Sequence, residues 1–234
     1  MEQINIVYIL NDVKKYKDLT LYSIGTIKKF FRSKNHTLNF TVVSNVSLDL
    51  PSDVTNTVIA FDDVNMFLLR FDLPDILGVD RFIYIDSDTQ AFACISKLWD
   101  TDMGDCIIGA VQSAEFTNVN TLSDMIIKYG IADAVESYAV DVNKPFYNNG
   151  LLLVDAKNWN AFGTTQKLKT LIATVRVEGT HKFHSDEIYT NLILCDHIFS
   201  LDKRWNYRPH GTVTGYVRPY IVHYYGLSMY LGLS

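Results

Sequence analysis

Asp86-Ser87-Asp88 sets two carboxylates one small residue apart, directly after the apolar run Phe82-Ile83-Tyr84-Ile85. A continuous run of this kind reads as a strand buried on both faces at the centre of a parallel sheet. The carboxyl end of such a strand is where open α/β sheets bind their ligands. Strand alternation predicts that Asp86 and Asp88 point the same way. Two like charges held together need something positive between them, and a hard divalent cation with oxygen ligands is the natural partner. Such a cation often carries substrate phosphates on its open positions, which suggests a nucleotide. Asp-x-Asp also occurs in ordinary turns and solvated loops; the buried strand before it sets this example apart.

Other residues could contribute. Arg70, upstream of the acidic pair, could offer a fixed positive fork to a diphosphate, or could be a surface arginine in a salt bridge of little worth. Asn148 and Asn149 carry amides able to grip sugar hydroxyls as donor and acceptor. With Gly150 they also spell a tight turn, and both readings can hold together. Asp186 and Glu187, after the plausible cap Ser185, are ordinary first-turn partners of a helix dipole, or ligand contacts. His223 follows the apolar Tyr220-Ile221-Val222; a lone histidine there is either a hydrogen-bonded structural residue or a metal ligand.

The elements that must hold these residues alternate between strand and helix. Ile4–Leu10, Phe40–Ser44, Thr57–Phe61, the strand before Asp86 and Cys106–Val111 read as strands, and Tyr147–Asp155 contains a further apolar strand. Leu19, Tyr22, Thr26, Ile27 and Phe30 recur at helical spacing, with Lys28, Lys29 and Arg32 on the other side. Met66–Leu77, interrupted by Pro74 and closed by Gly78, reads as helical, as do Leu122–Tyr138, Thr164–Val175 and Ser185–Leu194. This order predicts an α/β fold, a Rossmann-like and mostly parallel central sheet flanked by helices. No repeat, low-complexity tract or Pro/Gly/Ser-rich linker divides the chain, so residues 1–234 are expected to form a single catalytic domain.

The 234 residues are 48% hydrophobic and 20% charged, ordinary for a globular fold. A net charge of −5 gives no general attraction to nucleic acid or anionic membrane. No apolar run reaches transmembrane length, and the N-terminus lacks the features of a signal peptide. The expectation is therefore a cytoplasmic protein without a membrane anchor. Cys94, Cys106 and Cys195 have no metal-site spacing and read as free thiols in a reducing compartment. The sequons at Asn35, Asn39 and Asn45 are then chance.

The order of landmarks resembles glycogenin-like glycosyltransferases of glycosyltransferase family 8, which have the GT-A fold. Leu69-Arg70-Phe71 resembles the basic residue ahead of the metal strand, and Tyr84–Thr89 the Asp-x-Asp motif. Ile95–Asp100 and Phe146–Leu153 resemble the segments that follow. Asp186-Glu187 with Asn191 is similar to the family's Asp-Gln-x-x-x-Asn helix. Trp205-Asn206-Tyr207 and Ile221–Gly226 resemble the closing Asn segment and the His-x-x-Gly motif.

The resemblance implies that Asp86, Asp88 and His223 bind a metal, Mn²⁺ ahead of Mg²⁺ because an imidazole nitrogen joins the set. It implies a UDP-sugar donor, with Asn11 and Asp12 toward the base, Tyr16 stacking, and Arg70, Ser87, Asn148, Asn149 and Gly226 around the remainder. Asp186 would hold sugar hydroxyls, and Glu187 would lie by the anomeric carbon. The expected activity is transfer of a hexose from UDP-glucose or UDP-galactose, with retention, to a glycan, protein or other hydroxyl acceptor. Two positions depart from the pattern. Glu187 stands where the family has Gln, and a carboxylate could stabilise an oxocarbenium-like centre or act as nucleophile. Met229 stands where a Lys is expected, with Lys203, Arg204 and Arg218 as nearby cations. The alternative is a catalytically impaired nucleotide-sugar or glycan-binding protein, against which the intact Asp86, Asp88 and His223 argue. A nucleotidyltransferase would want a glycine-rich phosphate loop near the N-terminus, and Asn11–Leu19 contains no glycine. Action on DNA bases has no support from the acidic balance, and self-glycosylation of a tyrosine stays open.

Overall fold

The computed structural model describes residues 1–11, 13–61, 66–113, 121–129, 141–177, 186–209 and 217–224. Asp12, Ser185, Gly226 and Met229, and the predicted helical stretch after residue 129, lie outside them. The strands are β1 (Glu2–Leu10), β2 (His36–Ser44), β3 (Val54–Val58), β4 (Arg81–Ile85), β5 (Thr89–Ala91), β6 (Ile108–Gln112), β7 (Tyr147–Asp155), β8 (Ile198–Ser200) and β9 (Ile221–His223). The helices are α1 (Lys14–Phe30), α2 (Leu73–Leu77), α3 (Ser96–Trp99), α4 (Leu122–Tyr129), α5 (Ala156–Phe162), α6 (Thr164–Val177) and α7 (Asp186–Leu194). Two 3-10 turns, Leu68–Asp72 and Lys203–Asn206, complete the described elements.

The main sheet has the order β3-β2-β1-β4-β7-β6-β8, with every pairing parallel except the two made by β7. The mostly parallel α/β sheet read from the sequence is therefore present, with one reversed strand near its middle. Both faces are covered, and the side-chain alternation of β4 shows how. Phe82 and Tyr84 point into one core, shared with Val7, Leu152, Trp159, Leu171 and Tyr189. Ile83 and Ile85 point into the other, shared with Ile6, Tyr8, Ile24, Leu98 and Leu153. A strand buried on both faces has no polar positions to spare, which is why its sequence is a continuous apolar run. Burying each such side chain contributes roughly 1.5–3 kcal/mol, enough to fix the register of the whole strand.

Several boundaries differ from the sequence reading. β3 is Val54–Val58, not Thr57–Phe61; the Asn56 side chain bonds Leu48 N, Val42 O and Ser44 Oγ and anchors the strand to its neighbour. β2 begins at His36, and β8 and α5 were not anticipated. α5 is capped by Asp155, whose side chain accepts from Asn158 N, and is closed by Gly163 at φ 69°. The predicted Met66–Leu77 helix is a 3-10 turn followed by α2, ended by Gly78 at φ 60°, a left-handed conformation that favours glycine. Cys94, Cys106 and Cys195 are free thiols. Among the described residues no helix is long and apolar enough to cross a membrane.

Candidate active site

β4 ends at Ile85, so Asp86 and Asp88 lie beyond it, in the turn that leads to β5. Their convergence comes from this turn and not, as expected, from strand alternation. Thr89 Oγ1 donates to Asp86 O at 3.0 Å and Thr20 Oγ1 donates to Ser87 Oγ at 2.8 Å, holding the turn against α1. β5 then pairs antiparallel with β9, Thr89 opposite His223, and Tyr224 N donates to Asp88 O at 2.9 Å. This small ribbon carries His223 back to the turn.

One carboxylate oxygen each from Asp86 and Asp88 and one imidazole nitrogen from His223 lie within 4.8 Å of one another. His223 Nε2 is 3.2 Å from Asp88 Oδ1 and 3.7 Å from Asp86 Oδ2. The imidazole is buried, which disfavours its charged form, but the hydrogen bond and charge of Asp88 together with the charge of Asp86 outweigh burial and raise its pKa. A cation would take the place of that proton. Two hard oxygens and a nitrogen, converging with little between them, fit a divalent ion such as Mn²⁺.

The backbone next to the ring makes the cluster possible. Asp86 N donates to Gly150 O at 2.8 Å. A Cβ on Gly150 would lie 2.2 Å from His223 Cε1 and 2.5 Å from its Nδ1. The Asn-Asn-Gly triplet is thus no turn: it lies inside β7, and the glycine is there because an imidazole packs on its Cα.

Asn148 and Asn149 are each about 1% exposed, and their amides are engaged by the protein. Asn148 Nδ2 donates to Glu187 Oε1, and its Oδ1 accepts from Gly150 N and from Asn206 Nδ2. Asn149 Nδ2 donates to Asp186 Oδ2 and contacts Thr190 Oγ1, both at 2.8 Å. Asn191 adds a strand-like clamp: its amide accepts from Tyr147 N and donates to Tyr147 O, each at 2.8 Å. Residues 186, 187, 190 and 191 recur at helical spacing, so one face of α7 grips the start of β7.

Arg70 joins the two acidic regions. It is 8% exposed, 2.7 Å from Asp186 Oδ2 and 3.8 Å from Asp86 Oδ1. It donates to Phe67 O, Asn149 O and Tyr84 Oη, and its guanidinium lies 4.6 Å from the Tyr84 ring centre. Burial raises the Asp186 pKa above the usual carboxylate range although Arg70 and Asn149 oppose it. Glu187 is pushed up to about 7, by burial first and then by the negative charge of Asp186, against the pull of Arg208 and Arg70.

A cavity of about 240 Å³ opens beside the acidic turn. Asp86, Ser87, Asp88, Arg70 and Tyr84 line it together with the largely apolar Ile9, Leu10, Tyr16, Leu19, Met66 and Phe67. Tyr16 stands at its rim, 40% exposed. Lys15 also lines it, a cation that the sequence reading passed over. Asn11 is buried at the end of β1 and outside this lining. Asn206 and Gly150 enter the sequence reading only as members of motifs, without a role of their own. A glycine followed by the apolar run Leu151–Val154 was the available signal for Gly150, since glycine inside a strand marks close approach.

This sheet, reversed at β7 and carrying an acidic turn at the carboxyl edge of β4, is the GT-A glycosyltransferase fold. The structure of the galactosyltransferase LgtC in complex with donor and acceptor sugar analogues superimposes with a TM-score of 0.70 at 14% identity, covering 96% of this chain and 88% of that one. The chain belongs to glycosyltransferase family 8, whose family model, Glycosyl transferase family 8, matches residues 9–229. General stress protein A of Bacillus subtilis is 28% identical over 140 residues, 58% of this chain and 43% of that protein. Probable galacturonosyltransferase-like 6 of Arabidopsis thaliana is 30% identical over 141 residues, 57% of this chain and 38% of that protein. The chain therefore spans less than half the length of these curated relatives.

Proposed function

We propose that the protein transfers a hexosyl group from a UDP-sugar to a hydroxyl of a glycan, glycoprotein or other acceptor, with a divalent cation, Mn²⁺ before Mg²⁺, held by Asp86, Asp88 and His223. The observation that carries this reading is the convergence of those three side chains, two of which, Asp86 and Asp88, line a cavity that also has apolar residues in its lining. A nucleoside diphosphate combines the matching properties, a flat base and a negatively charged tail. Tyr16 would stack on the base, and Lys15 would face the phosphates. When bound, the cation would supply Lewis-acid charge at the leaving diphosphate.

The chain's own residues do the remaining work. Arg70, with its donors committed to Asp186, Asn149 and Tyr84, keeps two acidic groups close without mutual repulsion. Asp186 and Glu187 stand on the α7 side of Arg70 and would face the sugar. Glu187 would set its carboxylate against positive charge developing at the anomeric carbon, an interaction stronger in the transition state than in the ground state. Glucose, galactose and, from the names of the plant relatives, galacturonate are the donor sugars to compare.

The test is a donor screen. UDP-glucose, UDP-galactose and UDP-galacturonate are incubated with EDTA-stripped protein, with and without Mn²⁺, and release of UDP is followed. Release that requires Mn²⁺ is expected for at least one donor. Calorimetry on the same samples should show much weaker donor binding without the cation. Donor affinity that ignores EDTA would sink the metal assignment, and no UDP release from any donor, alone or with simple sugar acceptors, would sink the transferase.

A further inference from the structure

A series of hydrogen bonds runs through the floor of the site, and their directions are not independent. The Gly150 backbone N–H can only donate, and it lies 3.0 Å from Asn148 Oδ1. That atom is therefore the amide oxygen, and Asn148 Nδ2 faces the carboxylate of Glu187. Asn206 approaches the same oxygen at 2.6 Å, so it must present its Nδ2. Its remaining atom, Oδ1, then faces His223 Nδ1 at 3.0 Å. An amide oxygen only accepts, so Nδ1 carries a proton. In the neutral ring the lone pair is confined to Nε2, the atom turned toward Asp86 and Asp88.

We propose that Asn206 is a positioning residue: through Asn148 it takes its polarity from the Gly150 peptide and holds His223 in the one tautomer whose Nε2 can bind a divalent cation. The inference rests on the metal reading above. Asn206 is fully buried, and the partners of its amide are Asn148 and His223, so it acts through the imidazole and not on substrate. Outer partners of metal-bound histidines carry much of a site's affinity because they fix both tautomer and ring orientation. The other end of the same series is Glu187, so one backbone N–H orients groups on both sides of the site.

The experiment compares the intact chain with Asn206→Leu and Asn206→Asp. Leucine fills a similar volume and accepts nothing. A carboxyl group can accept from Nδ1–H with one oxygen and, protonated, donate to Asn148 with the other. Mn²⁺ affinity is read from the cation-induced rise in melting temperature and from electron paramagnetic resonance of free Mn²⁺. Asn206→Leu is expected to weaken Mn²⁺ binding by about 10–100-fold, while Asn206→Asp stays near the unmodified chain. Equal affinity in all three proteins, or an equal loss in both variants, would overturn the inference. Nitrogen NMR of the histidine-labelled, Cd²⁺-loaded unmodified chain is independent of how well the variants fold. Metal–nitrogen coupling is expected at Nε2 of His223, and coupling at Nδ1 would refute the tautomer. If the unmodified chain takes up neither Mn²⁺ nor Cd²⁺, the metal reading itself falls, a result distinct from an altered variant beside a competent parent.

Discussion

Gly150→Ala tests whether the packing of one ring decides metal binding. The added Cβ would sit 2.2 Å from His223 Cε1, 2.5 Å from Nδ1 and 3.0 Å from Asn148 Oδ1. Ordinary contact begins near 3.4 Å, so the ring must retreat by about 1 Å, well beyond the ~0.2 Å tolerance of a metal–ligand bond. Retreat is obstructed, because His223 is 2% exposed and its Nδ1 is held by Asn206. Forcing one carbon into a well-packed site costs roughly 1–3 kcal/mol. For a chain of this size that lowers the metal-free melting temperature by about 2–4 °C for each kcal/mol. A second loss should appear on adding Mn²⁺. At a cation concentration about 100 times Kd the unmodified protein gains about 2.7 kcal/mol, and a 100-fold weaker site would gain only about 0.4 kcal/mol. Differential scanning fluorimetry across an Mn²⁺ titration separates the two losses. A Gly150→Ala protein that melts with its parent and keeps the full Mn²⁺ response would refute the reasoning.

Asp88→Asn should remove the Mn²⁺ response and Mn²⁺-dependent UDP release while keeping far-UV circular dichroism unchanged; a variant that fails to fold would point to a structural role instead. Glu187→Gln should leave donor affinity in place and lower turnover, as read from steady-state UDP release. The same variant has a pH signature. Because the Glu187 pKa in the fold, about 7, is above the ordinary 4.5, its contribution to stability is full below the ordinary value and is lost as pH rises through about 7. Glutamine imitates the neutral form, so the variant should be more stable than its parent at pH 8, by at most about 3 kcal/mol, and equally stable at pH 4; an equal difference at both pH values would contradict the raised pKa of that carboxylate. Arg70→Met should destabilise by roughly 3–5 kcal/mol by stranding the charge of Asp186, and less as pH falls, since protonation of that raised-pKa carboxyl relieves it; urea titrations across a pH series check this.

Where burial dictates residue type, the fold was readable before any coordinates. β4 and the Leu151–Val154 part of β7 are apolar because both faces are covered, and these stretches emerge from the runs themselves, whereas the polar start of β7 does not. α5 escaped because it is short and starts directly at the end of β7; its real signals were Asp155 as cap and Gly163 as stop. β8 is too short for periodicity to register. At the site, Asp86, Asp88 and His223 were legible through the order of motifs, since local spacing alone could not link a turn to β9. Gly150, Asn206 and Lys15 were not, because what matters in each is a neighbour distant in the chain. A turn signal and a ring-packing glycine are spelled with the same letters, and only the pairing of β5 with β9 tells them apart.

The reversal of β7 also decides where one long connection is anchored. In a wholly parallel sheet, only strand ends reach the ligand edge, and the chain must cross to the far edge before it returns. Here β6 finishes at that edge and β7 begins there, Gln112 opposite Tyr147. The intervening segment, residues 113–146, therefore has both feet planted beside the site. The reversal fixes where that segment leaves and rejoins the sheet, and α4 within it packs Leu122, Met125 and Ile126 into the core.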